Sequence, residues 1–171
     1  TSFDRIPLEE QINIFTEVLG EINHQIILTA PNPDIGNKIF LNKLKIVAKK
    51  HKNIKLIHNF GSKLYYAAMN QAEYMIGNSS SGLWESPSFK LPVINIGNRQ
   101  FGRKHCKNVI NVPFDKTKII DGIKKISSNN FIRRCSNVTN PYIRKNTIDI
   151  IINKIKEPIN KEILLSKKFR I

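Results

Sequence analysis

The sequence predicts an α/β fold in which a parallel sheet is covered by helices on both faces. Short apolar stretches alternate along the chain with longer stretches of helical periodicity. The short stretches are apolar at consecutive positions, which is typical of strands buried on both faces. The 171 residues suffice for one domain with a proper core, and no internal repeat or linker divides them. We therefore expect residues 1–171 to form a single domain, a Rossmann-like three-layer sandwich.

The first half of the chain supplies the first alternation of helices and strands. Leu8 and Ile12 begin a series with helical spacing after Pro7, a residue that suits a first helical turn. Ser62 is a candidate N-cap for the third helix. The elements predicted here are helices over residues 7–21, 35–50 and 60–71 and strands over residues 24–29 and 54–57.

The second half continues the pattern and is more basic. The chain carries a net charge of +15, of which residues 1–100 contribute +3 and residues 101–171 contribute +12. Residues 127–130 are poor helix formers and predict a loop, and the basic tail from residue 158 has no predicted element. The elements predicted here are strands over residues 74–76, 92–96 and 109–112 and helices over residues 83–89, 115–126 and 140–155.

Composition excludes several classes of protein. No apolar run approaches the roughly 20 residues of a membrane helix, and the polar start of the chain lacks a signal-peptide pattern. Cys106 and Cys135 lack metal-ligand spacing and are expected to be free thiols, which fits the cytoplasm. No basic pattern interleaved with aromatics accompanies the charge, and abundant Ile, Asn and Lys together indicate an AT-rich genome. We therefore expect a cytoplasmic protein without a membrane or nucleic-acid partner.

The most informative stretch runs from Ala72 to Arg103. A buried strand leads into GNSSSG, residues 77–82, and a short helix carrying Glu85 follows. Glycines allow a ligand to approach the backbone, and serine hydroxyls and unpaired N–H groups at a helix start bind anions. Glu85 is placed to accept hydrogen bonds from a sugar diol, and Arg99 ends the next strand at the same sheet edge. The pattern predicts a site for a phosphorylated sugar or nucleotide.

The block GNSSSGLWESPSFKLPVINIGNRQFGR resembles the signature of hydrolysing UDP-N-acetylglucosamine 2-epimerases of the sialic-acid type. The resemblance is densest from Phe60 to Asn111. It implies the second half of a two-domain architecture of the glycosyltransferase-B type, with an N-terminal domain that holds the acidic catalytic residues. It also implies that this chain is a C-terminal fragment, inactive alone, in which the first strand of the doubly wound unit is missing.

The resemblance also assigns roles to particular residues. Ser79 and Ser80, with Gly82 in the same loop, match the segment that holds the diphosphate. Glu85 matches the carboxylate that grips the ribose, and Arg99 matches the basic residue beside the phosphates and sugar. In the family reaction Arg99 would help the diphosphate to leave.

Two aromatic residues complete the implied site. Tyr65 and Phe60 fall where the family contacts uracil, and aromatic faces stack on bases. Gln100 and Arg103 belong to the signature by position, but the sequence gives them no physical role. No metal or redox cofactor is expected, since the chain shows neither metal-ligand spacing nor GxGxxG.

The leading hypothesis is a domain that binds the UDP part of UDP-N-acetylglucosamine in an enzyme releasing N-acetylmannosamine and UDP. Three alternatives stay open: a nucleotide-sugar glycosyltransferase domain, a related epimerase acting on a diacetylbacillosamine or GDP-sugar nucleotide, and a non-catalytic basic domain that binds polyanions. The expected partners are a nucleotide sugar, the N-terminal domain of the same enzyme and, from the family, further copies in a homo-oligomer.

Overall fold

The computed structural model describes residues 4–33 and 36–158. It divides into one compact unit that ends at Asn140 and a second that begins at Pro141. The first unit contains the helices α1 (Leu8–Glu21), α2 (Asn37–Lys50), α3 (Gly61–Gln71), α4 (Ser81–Trp84), α5 (Lys116–Ile126) and α6 (Asn129–Ser136). Its strands are β1 (Ile26–Thr29), β2 (Ile54–Ile57), β3 (Met75–Gly77), β4 (Val93–Ile96) and β5 (Val109–Val112).

The strands are parallel throughout, which confirms the predicted α/β class. They hydrogen-bond as two groups, β1 with β2 and β3 with β4 and β5, instead of the one continuous sheet that we expected. Within the described residues, β1 and β3 each pair with a strand on one side only. The carboxyl ends of a parallel group meet at one edge, which is where α/β proteins place their ligands.

The core of the first unit explains why its strands are apolar at consecutive positions. All four residues of β4 are buried. Ile94 and Ile96 join α5 and Val18 of α1 in one hydrophobic cluster, whereas Val93 lies beneath Gly82 of α4 on the opposite face. Because helices cover both faces, both sets of side chains are mainly apolar, and the one polar member, Asn95, donates to Asn111 Oδ1 at 2.9 Å. A second cluster joins Leu19 of α1 to β1, β2 and α2.

Three predicted elements of the first unit differ in the structure. The loop predicted over residues 127–130 is confirmed for residues 127 and 128 only, since residues 129 and 130 begin α6, which Ser128 caps by accepting a hydrogen bond from the Phe131 N–H at 3.3 Å. The helix predicted over residues 83–89 is split into α4 and a 3₁₀ turn, Ser86–Phe89, in which Pro87 has no N–H to donate. The predicted cap Ser62 lies inside α3, and Asn59 Oδ1 accepts from the Gly61 N–H at 2.8 Å.

The second unit contains α7 (Thr147–Lys156), which starts seven residues later than the predicted residue 140. Its described residues from 142 onward are exposed. Residue 35, predicted to start the second helix, and the tail beyond residue 158 lie outside the described residues. Within the described ranges, no helix is both long and apolar enough to cross a membrane.

Candidate functional site

A cavity of about 460 Å³ lies where the resemblance places a nucleotide. It is bordered by the loops that follow β1 and β2, by the first turns of α3, and by the segment after β3. These are the carboxyl ends of strands from both sheet groups, so the cavity lies at the position typical of ligand sites in α/β folds. Four of the predicted site residues line it: Phe60, Tyr65, Ser79 and Glu85.

The segment from residue 78 to residue 81, here called the serine loop, presents several hydrogen-bond donors. The backbone N–H groups of Ser79 and Ser80 meet no acceptor in the described part of the chain. The Ser79 hydroxyl accepts from the Ser81 N–H at 3.3 Å, which tightens the turn. Because α4 spans only four residues, its helix dipole is small, and the separate loop N–H and hydroxyl groups are the donors that the loop offers to a ligand.

Glu85 provides the most unusual atom of the site. It lies between α4 and the 3₁₀ turn and faces the cavity. Its Oε2 is buried, and no donor in the described part of the chain reaches it. A buried carboxylate oxygen without a donor costs about 1–3 kcal/mol. A ligand that donates hydrogen bonds, such as a sugar hydroxyl pair, would offset this cost.

Tyr65 and Phe60 border the cavity from α3. The Tyr65 hydroxyl donates to Ser81 Oγ at 2.8 Å and so connects α3 to the serine loop. Burial raises the pKa of Tyr65, and the nearby Glu85 charge raises it further, whereas the bond to Ser81 opposes the shift. Both aromatic residues are half-buried, which leaves part of each side chain open to a ligand.

Arg99 approaches the same loop from the other side. It follows β4, is half-buried, and its Nη1 donates to the Asn78 carbonyl at 3.3 Å. It does not border the cavity itself. The structure therefore places a fixed positive charge against the start of the serine loop, beside the predicted anion site.

Ser80 and Gly82 lie in the predicted loop but do not border the cavity. Ser80 precedes α4, and its carbonyl accepts the N–H groups of Leu83 and Trp84, both at 2.9 Å. Gly82 is packed on the sheet, where an added Cβ would come within 3.0 Å of Val93 Cγ1. Gly82 therefore allows α4 to pack closely against β4.

The sequence analysis missed other residues of this cavity. Ser81 borders it and accepts from Tyr65, and His58 and Asn59 border it from the loop after β2. The rule that ligands lie beyond the carboxyl ends of parallel strands would have identified His58 and Asn59. In the described part of the chain, no group of three or more His, Cys, Asp or Glu residues could hold a metal ion.

The structure is an α/β fold of parallel strands with a serine-rich loop and a cavity at the carboxyl ends of its strands. A family model described as UDP-N-acetylglucosamine 2-epimerase matches residues 1–156. The chain belongs to this family.

Individual relatives agree with the family match. The chain is 38% identical over 134 residues to an Escherichia coli polysialic acid biosynthesis protein P7, covering 78% of this chain and 34% of the relative. It is 36% identical over 149 residues to a Campylobacter jejuni GDP/UDP-N,N'-diacetylbacillosamine 2-epimerase (hydrolyzing), covering 86% and 38%. The chain thus spans little more than a third of the length of these relatives.

A solved structure shows the same fold. Staphylococcus aureus MnaA, solved with UDP, matches with a TM-score of 0.65 and 20% identity, over 95% of this chain and 43% of that one. The agreement over nearly the whole chain confirms the predicted α/β architecture.

Proposed function

We propose that this chain is the nucleotide-binding half of a hydrolysing 2-epimerase, and that its cavity takes the UDP part of UDP-N-acetylglucosamine. The observation that carries the proposal is the Glu85 carboxylate: Glu85 borders the cavity beside the serine loop, and its buried Oε2 lacks a donor in the described residues. A ribose offers two adjacent hydroxyl donors, and one carboxylate accepts both.

The remaining groups fit the other parts of a nucleoside diphosphate. The N–H groups of Ser79 and Ser80 and the neighbouring hydroxyls are donors suited to a diphosphate. The base then lies toward α3, where Tyr65 and Phe60 offer aromatic faces. The cavity would thus hold the base by α3, the ribose at Glu85 and the phosphates at the loop. This is the order of the groups along UDP.

The chemistry assigned to this half concerns the leaving group. In the proposed reaction a base removes the proton from C2 of the sugar, the C1–O bond breaks, and UDP leaves with the bonding electrons. Water then adds to the C1–C2 double bond and gives the 2-epimeric amino sugar. Arg99, held beside the start of the serine loop by its bond to the Asn78 carbonyl, supplies a nearby positive charge that favours the departure of anionic UDP. The C2 base and its acid partner belong to the other half of the enzyme.

A diacetylbacillosamine nucleotide is the second candidate substrate. The 36% identity to the Campylobacter jejuni protein, whose name includes both GDP and UDP forms, favours it. The two substrates share the diphosphate and ribose, so Glu85 and the serine loop serve either.

A calorimetric titration tests the proposal. UDP and GDP are titrated into the chain, into Glu85→Ala, and into a control, Glu73→Ala, whose side chain is 74% exposed. We expect saturable UDP binding, tighter than that of GDP, about tenfold or more weaker in Glu85→Ala and unchanged in Glu73→Ala. Equal UDP affinity in all three proteins, or no saturation at millimolar UDP, would contradict the proposal.

A further inference from the structure

Gln100 is a buried polar residue whose hydrogen bonds converge on the proposed phosphate site. It is 2% exposed in the loop after β4. Its Nε2 donates to the Asn78 carbonyl at 2.6 Å, and its Oε1 accepts from Arg103 Nη1 at 2.8 Å. Both ends of the side-chain amide are therefore engaged, which fixes its orientation.

The Asn78 carbonyl matters because of the group on the other side of the same peptide bond. The Asn78 carbonyl and the Ser79 N–H share one planar, trans peptide unit, so they point in opposite directions. When Gln100 holds the carbonyl, the direction of the Ser79 N–H is set as well. That N–H is one of the two loop amides that meet no acceptor in the described residues.

Arg103 extends the contact to the far end of α4. While its Nη1 donates to Gln100, its guanidinium lies over the Trp84 ring, 5.0 Å from the ring centroid. Arginine over tryptophan is a favourable cation–π pair. Residues 100–103 thus contact the serine loop at its start through Asn78 and α4 at its end through Trp84.

A chain of polar contacts holds this loop on the sheet. His105 Nε2 lies 3.3 Å from the Gln100 carbonyl, and its Nδ1 lies 3.0 Å from Asn111 Nδ2. Asn95 Nδ2 in turn donates to Asn111 Oδ1 at 2.9 Å. A neutral imidazole with its proton on Nε2 satisfies both histidine contacts. Asn95 and Asn111 belong to β4 and β5, so the Gln100 loop is anchored to these two strands.

We propose that Gln100 is a positioning residue that holds the serine loop in its anion-binding conformation, with Arg103 supporting its side-chain amide. The proposal rests on the proposed function, since the anion is the diphosphate of the nucleotide. It gives a physical role to two signature residues that the sequence analysis left without one.

Two substitutions separate the contacts of Gln100. Gln100→Met keeps the length of the side chain and removes both side-chain hydrogen bonds. Gln100→Glu keeps an acceptor for Arg103 but offers no donor to the Asn78 carbonyl. The matched control is Gln11→Met, which changes another buried glutamine, whose Nε2 donates to the Ile6 carbonyl at 2.9 Å.

The first readout needs no ligand. Amide hydrogen exchange is measured for Gly82, Leu83 and Trp84, whose N–H groups donate back to Ser79 and Ser80. We expect both Gln100 variants to exchange faster at these amides than at β4 and β5, because a local contact is lost. Gln11→Met should not show this selective increase. Exchange that is unchanged in the Gln100 variants, or accelerated equally across the unit, would overturn the proposal.

The second readout is UDP affinity. We expect both Gln100 variants to bind UDP about tenfold more weakly, equivalent to about 1.4 kcal/mol, with Gln11→Met unchanged. Faster exchange with wild-type UDP affinity would show that Gln100 supports the fold and does not position the site, which overturns the proposal. If the unaltered chain itself fails to bind UDP, the proposed function fails, and hydrogen exchange alone then decides whether Gln100 holds the loop.

Discussion

We expect Glu85 to contribute to UDP binding and not to the stability of the fold. The Glu85→Met variant tests both expectations. Methionine has a similar length and no buried oxygen, so the variant removes an acceptor that lacks a donor in the described residues. Leaving such a group buried costs about 1–3 kcal/mol, and its replacement by an apolar group of similar shape is neutral or stabilising. We expect the free energy of unfolding to be unchanged or about 1 kcal/mol higher.

The same change should weaken UDP binding. A hydrogen bond from a ribose hydroxyl to the carboxylate is worth about 1.5–3 kcal/mol, so losing one such bond weakens binding by about 10- to 150-fold. Loss of affinity together with retained or increased stability is the signature of a residue kept for its ligand.

Both quantities can be measured on the same protein. Urea denaturation followed by circular dichroism gives the free energy of unfolding. The single tryptophan, Trp84, precedes Glu85 and provides a fluorescence signal for the UDP titration. Glu73→Met, on the exposed surface, should change neither quantity. A Glu85→Met protein destabilised by about 2 kcal/mol that binds UDP like the wild type would refute the reasoning, since Glu85 would then support the fold.

Three further predictions concern the stability of the fold. Gly82→Ala places a Cβ 3.0 Å from Val93 Cγ1 and should lower the free energy of unfolding by about 1–3 kcal/mol in urea denaturation; full stability would show that α4 shifts freely. Burial raises the pKa of Tyr65, so above a pH of about 10 the unfolded chain loses this proton first and stability falls as pH rises. Tyr65→Phe should make that alkaline fall shallower in denaturation measured across pH, and an unchanged slope would contradict it. Ser128→Ala removes the cap on the Phe131 N–H and should cost about 1 kcal/mol in urea denaturation, whereas no change would show that packing alone holds α6.

The strands were predictable because strands buried on both faces are apolar at consecutive positions, and such runs are visible in the sequence. The run from Val93 to Ile96 is apolar apart from Asn95, and β4 is buried at every position. The helix α6 was not predictable in this way, since Asn129 and Asn130 are weak helix formers. The Ser128 cap and the burial of Phe131 decide it, and burial depends on the rest of the fold.

The candidate site was also predictable only where it depends on residues close together in the sequence. The order of strand, serine loop and Glu85 in the chain predicts neighbours at one sheet edge, and Ser79 and Glu85 do border one cavity. The bond from Tyr65 to Ser81 joins residues 16 apart, and that from Gln100 to Asn78 joins residues 22 apart. No local pattern specifies such pairs, so the role of Gln100 emerges only from the folded chain.

Backbone amide NMR during a UDP titration tests the central claim most directly, because it locates the ligand residue by residue. We expect saturable shifts over residues 77–85 and at the start of α3, larger for UDP than for GDP and weakly dependent on salt. A serine loop that does not respond at millimolar UDP would contradict the account. So would shifts spread over the basic residues from 101 to 140 that disappear steeply with added salt, as in a polyanion-binding domain.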